Sequence, residues 1–187
     1  FPGERGEVRS GEGVFIGCRW YDALHLTVAF PSGHGLSYTT FAYSDLDVEV
    51  VDAAAGEVRV GVTVTNTGER DGAEVVQLYV GDPESVVRRP GRELRGFEKV
   101  HLAAGASARI ALRLENRDLS WYDVVAGVWR REGGVFTVEV GSSSRDIRAR
   151  ARVELPDDRS VPPLVDDVTL GYSLQGRTVF DPHEVQD

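Results

Sequence analysis

From Tyr43 to Val153 apolar and polar residues alternate in short runs separated by turn residues. Leu46, Val48 and Val50 form the first set. After Ala55-Gly56 the run Val58, Val60, Val62, Val64 repeats the alternation, with Arg59, Gly61 and Thr63 facing the other way. A period of two sends one set of side chains toward a core and the other toward solvent, so each run predicts a half-buried strand. Thr65-Asn66-Thr67-Gly68 and Asp71-Gly72 carry turn chemistry. Val76, Leu78 and Val80 then alternate against Val75, Gln77 and Tyr79. A further strand is predicted over 93–102, followed by the turn Ala104-Gly105 and the set Ile110, Leu112, Leu114. Phe136, Val138 and Val140 follow the Gly133-Gly134 turn, and Ile147, Ala149, Ala151 and Val153 close the series. Seven short strands at this spacing, with no long 3.6-residue period, predict an all-β, seven-stranded immunoglobulin-like β-sandwich.

The flanks read differently. Residues 1–40 are rich in glycine and lack a sustained period, except for Gly13 to Asp22, G-V-F-I-G-C-R-W-Y-D, which fits one buried strand. A lone strand cannot bury itself, so this segment asks for a sheet that the chain does not supply. Each buried Val, Leu, Ile or Phe contributes roughly 1.5–3 kcal/mol, against about 1–2 kcal/mol for ordering each backbone residue. Two facing sheets balance that cost, whereas the glycine-rich flank adds cost with little burial. The expectation is a folded sandwich with a poorly anchored N-terminal arm. Residues 156–187, acidic and containing Pro156, Pro162 and Pro163, show no core pattern and read as a linker or tail.

Composition narrows the class. The length of 187 residues suits one domain with flanking segments. A net charge of -9 argues against nucleic acid as a partner, because phosphate binding needs a continuous basic face, and Arg88-Arg89 is too short to reverse it. No apolar run approaches the roughly 20 residues that span a bilayer, so no membrane partner is expected. Cys18 is the only cysteine, which excludes an internal disulfide and a multi-cysteine zinc site. It also favours the fibronectin type III-like variant of the sandwich over the disulfide-bonded one. Cys18 itself is expected to be a small buried residue. The chain holds no methionine and begins at Phe1, so it is expected to be a piece of a longer polypeptide.

Phe30 to Phe41, F-P-S-G-H-G-L-S-Y-T-T-F, reads as a tight backbone turn followed by entry into the β region. It is similar to F-P-F-G-H-G-L-S-Y-T of the family 3 glycoside hydrolases, β-glucosidases among them. There the segment joins the α/β catalytic portion to a fibronectin type III-like domain. Further matches run in one order from about residue 11 to 155. G-E-G-V-F-I-G-C-R-W-Y-D (11–22) resembles the family's E-G-I-F-V-G-Y-R-Y-Y-D. V-T-V-T-N-T-G (62–68) and E-V-V-Q-L-Y-V (74–80) resemble its second and third sandwich strands. Arg89-Pro90 with E-L-R-G-F-E-K-V (93–100), then Asp118-Leu119-Ser120, Trp129 and G-S-S-S-R-D-I (141–147), complete the set. The departures are Ser10 and Cys18 in place of an aromatic, Ser32 in place of a phenylalanine, and a different loop over 25–29. They cluster at the catalytic-side end. The resemblance implies three regions: 1–40 as the end of the α/β hydrolase portion with its connecting turn, 41–155 as the sandwich, and 156–187 as the linker.

Glycoside hydrolysis uses two carboxyl groups about 5–9.5 Å apart. The resemblance places the family's aspartate nucleophile and glutamate acid/base upstream of the matched region, so no catalytic residue is expected in this chain, and no metal or cofactor either. Glu12 and Asp22 are the nearest substitutes, and both read as charged residues ending the short apolar run. Trp20 and Tyr21 beside Asp22 suit sugar stacking, or packing across a strand. His34 fits a turn needing unusual φ values, with the histidine bonding a backbone carbonyl, better than a general base. Asp118 suits the N-cap of a short turn over 119–123. Trp121 and Trp129 suit core or loop packing, or a sugar platform. Arg88, Arg89 and Arg92 lie in a proline-flanked loop that either docks on a catalytic domain or is solvated. The main reading is the C-terminal accessory part of a β-glucosidase-like hydrolase, inactive alone, whose partners are the upstream catalytic domains. The alternative is a freestanding fibronectin-like module binding carbohydrate or protein.

Overall fold

The computed structural model describes residues 13–124 and 126–158. Nine strands and two short helices are present in that range: α1 (Cys18–Ala23), β1 (Phe41–Asp52), β2 (Glu57–Asn66), β3 (Gly72–Gly81), β4 (Glu93–Leu102), β5 (Ser107–Leu114), α2 (Asn116–Leu119), β6 (Trp121–Asp123), β7 (Val128–Arg130), β8 (Gly134–Ser143) and β9 (Asp146–Leu155). The long strands form two antiparallel sheets, ordered β1-β2-β5 and β4-β3-β8-β9, while β6 and β7 pair as a separate hairpin. Three strands facing four is the sandwich that the alternation predicted.

Register follows the apolar face. Val58, Val60, Val62 and Val64 of β2 sit opposite Leu114, Leu112, Ile110 and Ala108 of β5. All four valines are at most 1% exposed. From the other sheet Val76, Leu78, Val80, Phe136, Val138 and Val140 close the same cluster. A one-residue slip would turn every one of these side chains to the wrong face, so the burial pattern fixes the pairing. Asn66, at the end of β2, is fully buried and answers for its polarity. Its Nδ2 donates to the carbonyls of Arg70 (2.8 Å) and Leu102 (3.0 Å), and its Oδ1 accepts from Thr39 Oγ1 (2.6 Å) and the Gly68 N–H (3.1 Å). The turn motif at 65–68 thus ties the bottom of both sheets together.

Two expectations for the flank are corrected. The segment Gly13 to Asp22 is not a buried strand: residues 13–17 form a turn and loop, and α1 begins at Cys18. An extended strand leaves its backbone groups to a neighbour, and the described residues supply none here. A helical turn satisfies them locally, as Trp20 N–H to Gly17 O (3.1 Å) and Leu24 N–H to Trp20 O (3.1 Å) show. Only Phe15 of the apolar run is buried, while Val14 and Ile16 stay exposed. Cys18, expected to be buried, is exposed, because α1 turns that side of the segment outward. Asp118 is not the N-cap of a turn over 119–123; Glu115 holds that position in α2, and Asp118 Oδ2 accepts from the Glu115 N–H at 2.9 Å. The carboxylate caps the helix from its third position. Ser10, Glu12 and the tail beyond Asp158 lie outside the described residues.

Candidate functional site

The outer face of the four-stranded sheet is not solvated in the usual way. Gln77 and Tyr79 point away from the core, yet they are 5% and 4% exposed. Residues 13–35 cover them. Gln77 Nε2 donates to the carbonyls of Gly33 (3.0 Å) and Ser142 (2.6 Å), and Tyr79 Oη donates to Gln77 Oε1 (2.6 Å). Ser144 N–H donates to the Ser32 carbonyl at 2.9 Å, so the turn 31–34 is pinned to the β8–β9 connection as well. Gly33 has φ +79, and a Cβ there would overlap the Gln77 side chain. The first glycine of Gly-His-Gly is therefore required for both conformation and close approach. Burial pushes the Tyr79 hydroxyl up to about 12.

Charged groups anchor α1 to the same face. Arg145 Nε pairs with Asp22 Oδ1 at 2.8 Å, and its Nη2 donates to the carbonyls of Leu26 (2.9 Å) and Tyr21 (3.4 Å). Arg19 Nη2 pairs with Glu93 Oε1 at 3.0 Å. Glu93 in turn holds Arg95 (2.7 Å) and Arg89 (3.3 Å), and Arg89 reaches Asp82 (3.3 Å) and the Leu119 carbonyl (3.2 Å). Burial holds the Asp82 carboxyl above the usual carboxylate range, with Arg89 pulling against it. Arg92 bonds Glu139 (2.8 Å) and the Ser144 carbonyl (2.6 Å), and the Arg88 guanidinium lies 4.7 Å from the centre of the Phe15 ring. The loop arginines are thus not free in solvent. They knit the loop 82–92 to the sandwich and to the arm.

The sequence candidates separate into groups. Asp22, Trp20 and Tyr21 lie together on α1, but Asp22 is spent on Arg145. His34 is exposed; its backbone N–H donates to Pro31 O at 3.1 Å, closing the turn, and its ring stacks on Phe30 with centroids 5.1 Å apart. The turn is as expected, while the imidazole contact is aromatic. Trp121 and Trp129 stay out of the sandwich core and pack on the β6–β7 hairpin. Trp121 Nε1 donates to Glu132 (2.6 Å), and the Trp129 ring meets Tyr122 edge-on at 5.5 Å. No three His, Cys, Asp or Glu side chains converge on a metal position among the described residues.

Sequence reasoning missed the Arg89-Asp82-Glu93 chain, because its members are separated by a loop whose path no periodicity reveals. It also missed the exposed apolar ridge of the arm. Phe30 is 72% exposed, and Leu36 and Tyr38 are each 92% exposed. The motif F-P-S-G-H-G-L-S-Y pointed at this place but said nothing of its exposure.

Comparison with known proteins gives this architecture a home. A family model described as a fibronectin type III-like domain matches residues 74–144. The thermostable beta-glucosidase B of Acetivibrio thermocellus is 42% identical over 175 residues, covering 90% of this chain and 23% of that protein. An exo-alpha-(1->6)-L-arabinopyranosidase of Bifidobacterium breve is 42% identical over 171 residues, covering 91% and 22%. The crystal structure of the GH3 beta-glucosidase of Bifidobacterium adolescentis superimposes with a TM-score of 0.83 at 43% identity, covering 96% of this chain and 27% of that one. The chain therefore spans about a quarter of the length of these relatives. It belongs with the family 3 glycoside hydrolases, as their C-terminal region carrying the fibronectin type III-like domain.

Proposed function

We propose that this chain works as the non-catalytic C-terminal part of a β-glucosidase-like hydrolase that cleaves O-glycosidic bonds, and that its partners are upstream catalytic domains of the same polypeptide. The observation that carries this reading is the arm. Its inner side is fastened to the sandwich by Gln77, Arg145 and Glu93, while Phe30, Leu36 and Tyr38 project outward. Apolar side chains left in solvent along a fastened segment suit a surface made to be covered. In this reading residues 1–40 belong with the hydrolase portion and its connecting turn, 41–155 are the supporting sandwich, and 156–187 are a linker.

No residue of the chain is assigned a catalytic role. Asp22 is engaged by Arg145 at 2.8 Å, an ion pair that ties α1 to the β8–β9 connection. The similarity to both a beta-glucosidase and an arabinopyranosidase at 42% identity suits a support that does not select the sugar. The purified chain is expected to show no turnover of an aryl β-glucoside. Turnover that disappears in Asp22→Ala or Glu12→Ala would place the chemistry here and end this reading.

A further inference from the structure

At one end of the sandwich the β1–β2 turn, α2 and the β6–β7 hairpin enclose a depression of about 400 Å³. It is lined by Ala55, Glu57, Glu115, Asn116, Arg117 and Trp129. A second depression adjoins it through Ala55 and Asn116 and runs toward Asp158. Against Gly56, next to the shared Ala55, two buried polar groups are left open. Arg131 is 1% exposed, yet only its Nη2 has a partner, the Ala54 carbonyl at 3.0 Å; Nε and Nη1 have none. Asn116 Nδ2 donates to Asp158 Oδ2 at 2.7 Å, while Asn116 Oδ1 is buried and unpartnered. Both open atoms lie against the same side of Gly56. A Cβ there would overlap Arg131 Nη1 and touch Asn116 Oδ1 at 3.0 Å, and the φ of +67 also favours glycine. A buried donor and a buried acceptor left unmade cost roughly 1–3 kcal/mol each, so the ground beside Asn116 and Gly56 carries unused hydrogen-bonding capacity.

The surroundings select among such groups. Of the charged residues lining the two depressions, Glu57, Glu115, Asp157 and Asp158 outnumber Arg117, which disfavours an anion. No three metal-ligating side chains converge among the described residues, which disfavours a metal cation. Trp129 remains 39% exposed although the Arg117 guanidinium sits 4.6 Å from its ring centre and Tyr122 meets it edge-on. An aromatic surface beside interleaved donors and acceptors is the composition that holds a hydroxylated ring, whose C–H face stacks while its hydroxyls bond. We propose that this end of the sandwich binds a neutral saccharide unit, with Trp129 as the stacking surface and Asn116, Glu57 and Arg117 as hydroxyl partners. The site lies on β2, α2 and β7, away from the arm, and it does not depend on the accessory role proposed above.

The test is a titration of the ¹⁵N-labelled full chain with laminaripentaose and cellopentaose, followed by amide chemical shifts. Tetragalacturonate and spermidine serve as charged controls. Shifts are expected at residues 53–57, 115–117 and 129–131, with no response to the controls. Trp129→Ala is expected to weaken binding about tenfold or more. Arg117→Ala, an exposed position, is expected to weaken it several-fold and serves where the tryptophan variant folds poorly. The proposal is overturned by any of four results: no shift with either neutral oligosaccharide at tens of millimolar, shifts mapping elsewhere, undiminished binding in both variants, or a response to the charged controls alone.

Discussion

Glu74 stands at the start of β3, beside Val75 and Val76, half-buried where the alternation of that strand would put an apolar residue. Burial raises its carboxyl above the usual range, while the Val75 N–H donates to it at 2.8 Å and Arg148 pulls the other way. Asp146 and the buried Tyr43 hydroxyl also face it, and burial in turn raises Tyr43. For a carboxyl whose folded pKa is raised, the stabilising form is the neutral one. Its contribution is complete below the unfolded value near 4.5 and is lost as pH rises through the higher folded value. Glu74→Gln keeps the acceptor for Val75 without the charge. Its melting temperature is expected to exceed that of the parent at neutral pH, with the gap closing as pH falls below about 4. A gap that stays constant with pH would show that the carboxyl is not perturbed. The inward valines were legible residue by residue, because period two states which side is buried. Gln77 and Tyr79 were legible only as the opposite face. Their burial comes from the arm, which no pattern inside β3 encodes.

At the scale of elements, the long strands emerged from the sequence with their turns because eight to twelve residues suffice to display a period. The β6–β7 hairpin escaped because three residues per strand cannot. α1 was misread for a related reason. V-F-I-G-C-R-W-Y is apolar without a decisive period, and such runs suit a strand or a helical turn equally until neighbours decide. Here the neighbour is Arg145, which caps and clamps α1 through Asp22, Tyr21 and Leu26. Both members of the Arg145–Asp22 pair are about one-third exposed. Such a pair contributes only about 0–1 kcal/mol to global stability, but the other ion pair of α1, Arg19–Glu93, lies at its first turn, so its C-terminal end leans on Arg145. Arg145→Ala should therefore leave the melting temperature almost unchanged. It should accelerate hydrogen exchange at residues 20–26 by several-fold while the strand amides keep their rates. In the parent, exchange over 13–25 is expected to be faster than in β2 and β3. Equal protection in arm and strands, or a global loss of stability in the variant, would show that the arm and sandwich fold as one unit.

For the whole molecule the question is what the arm presents to its surroundings. Leu36 and Tyr38 are each 92% exposed and sit between the pinned turn at Gly33 and the first strand residue, Phe41. Neither side chain supports the sandwich, so replacing both by serine should change its stability by no more than about 0.5 kcal/mol. If they are the seat for upstream catalytic domains, the same change should matter once those domains are present. Burying one such side chain contributes roughly 1.5–3 kcal/mol, so losing both should weaken association by well over tenfold. The experiment mixes this chain with a separately produced α/β portion of a family 3 β-glucosidase and measures complex formation by titration. Parent chain that binds, with Leu36→Ser/Tyr38→Ser folded as before but binding far more weakly, is the expected result. A variant that binds equally well would move the contact off this ridge. A variant that unfolds alone would show instead that the ridge belongs to the sandwich, and that its exposure does not mark an interface.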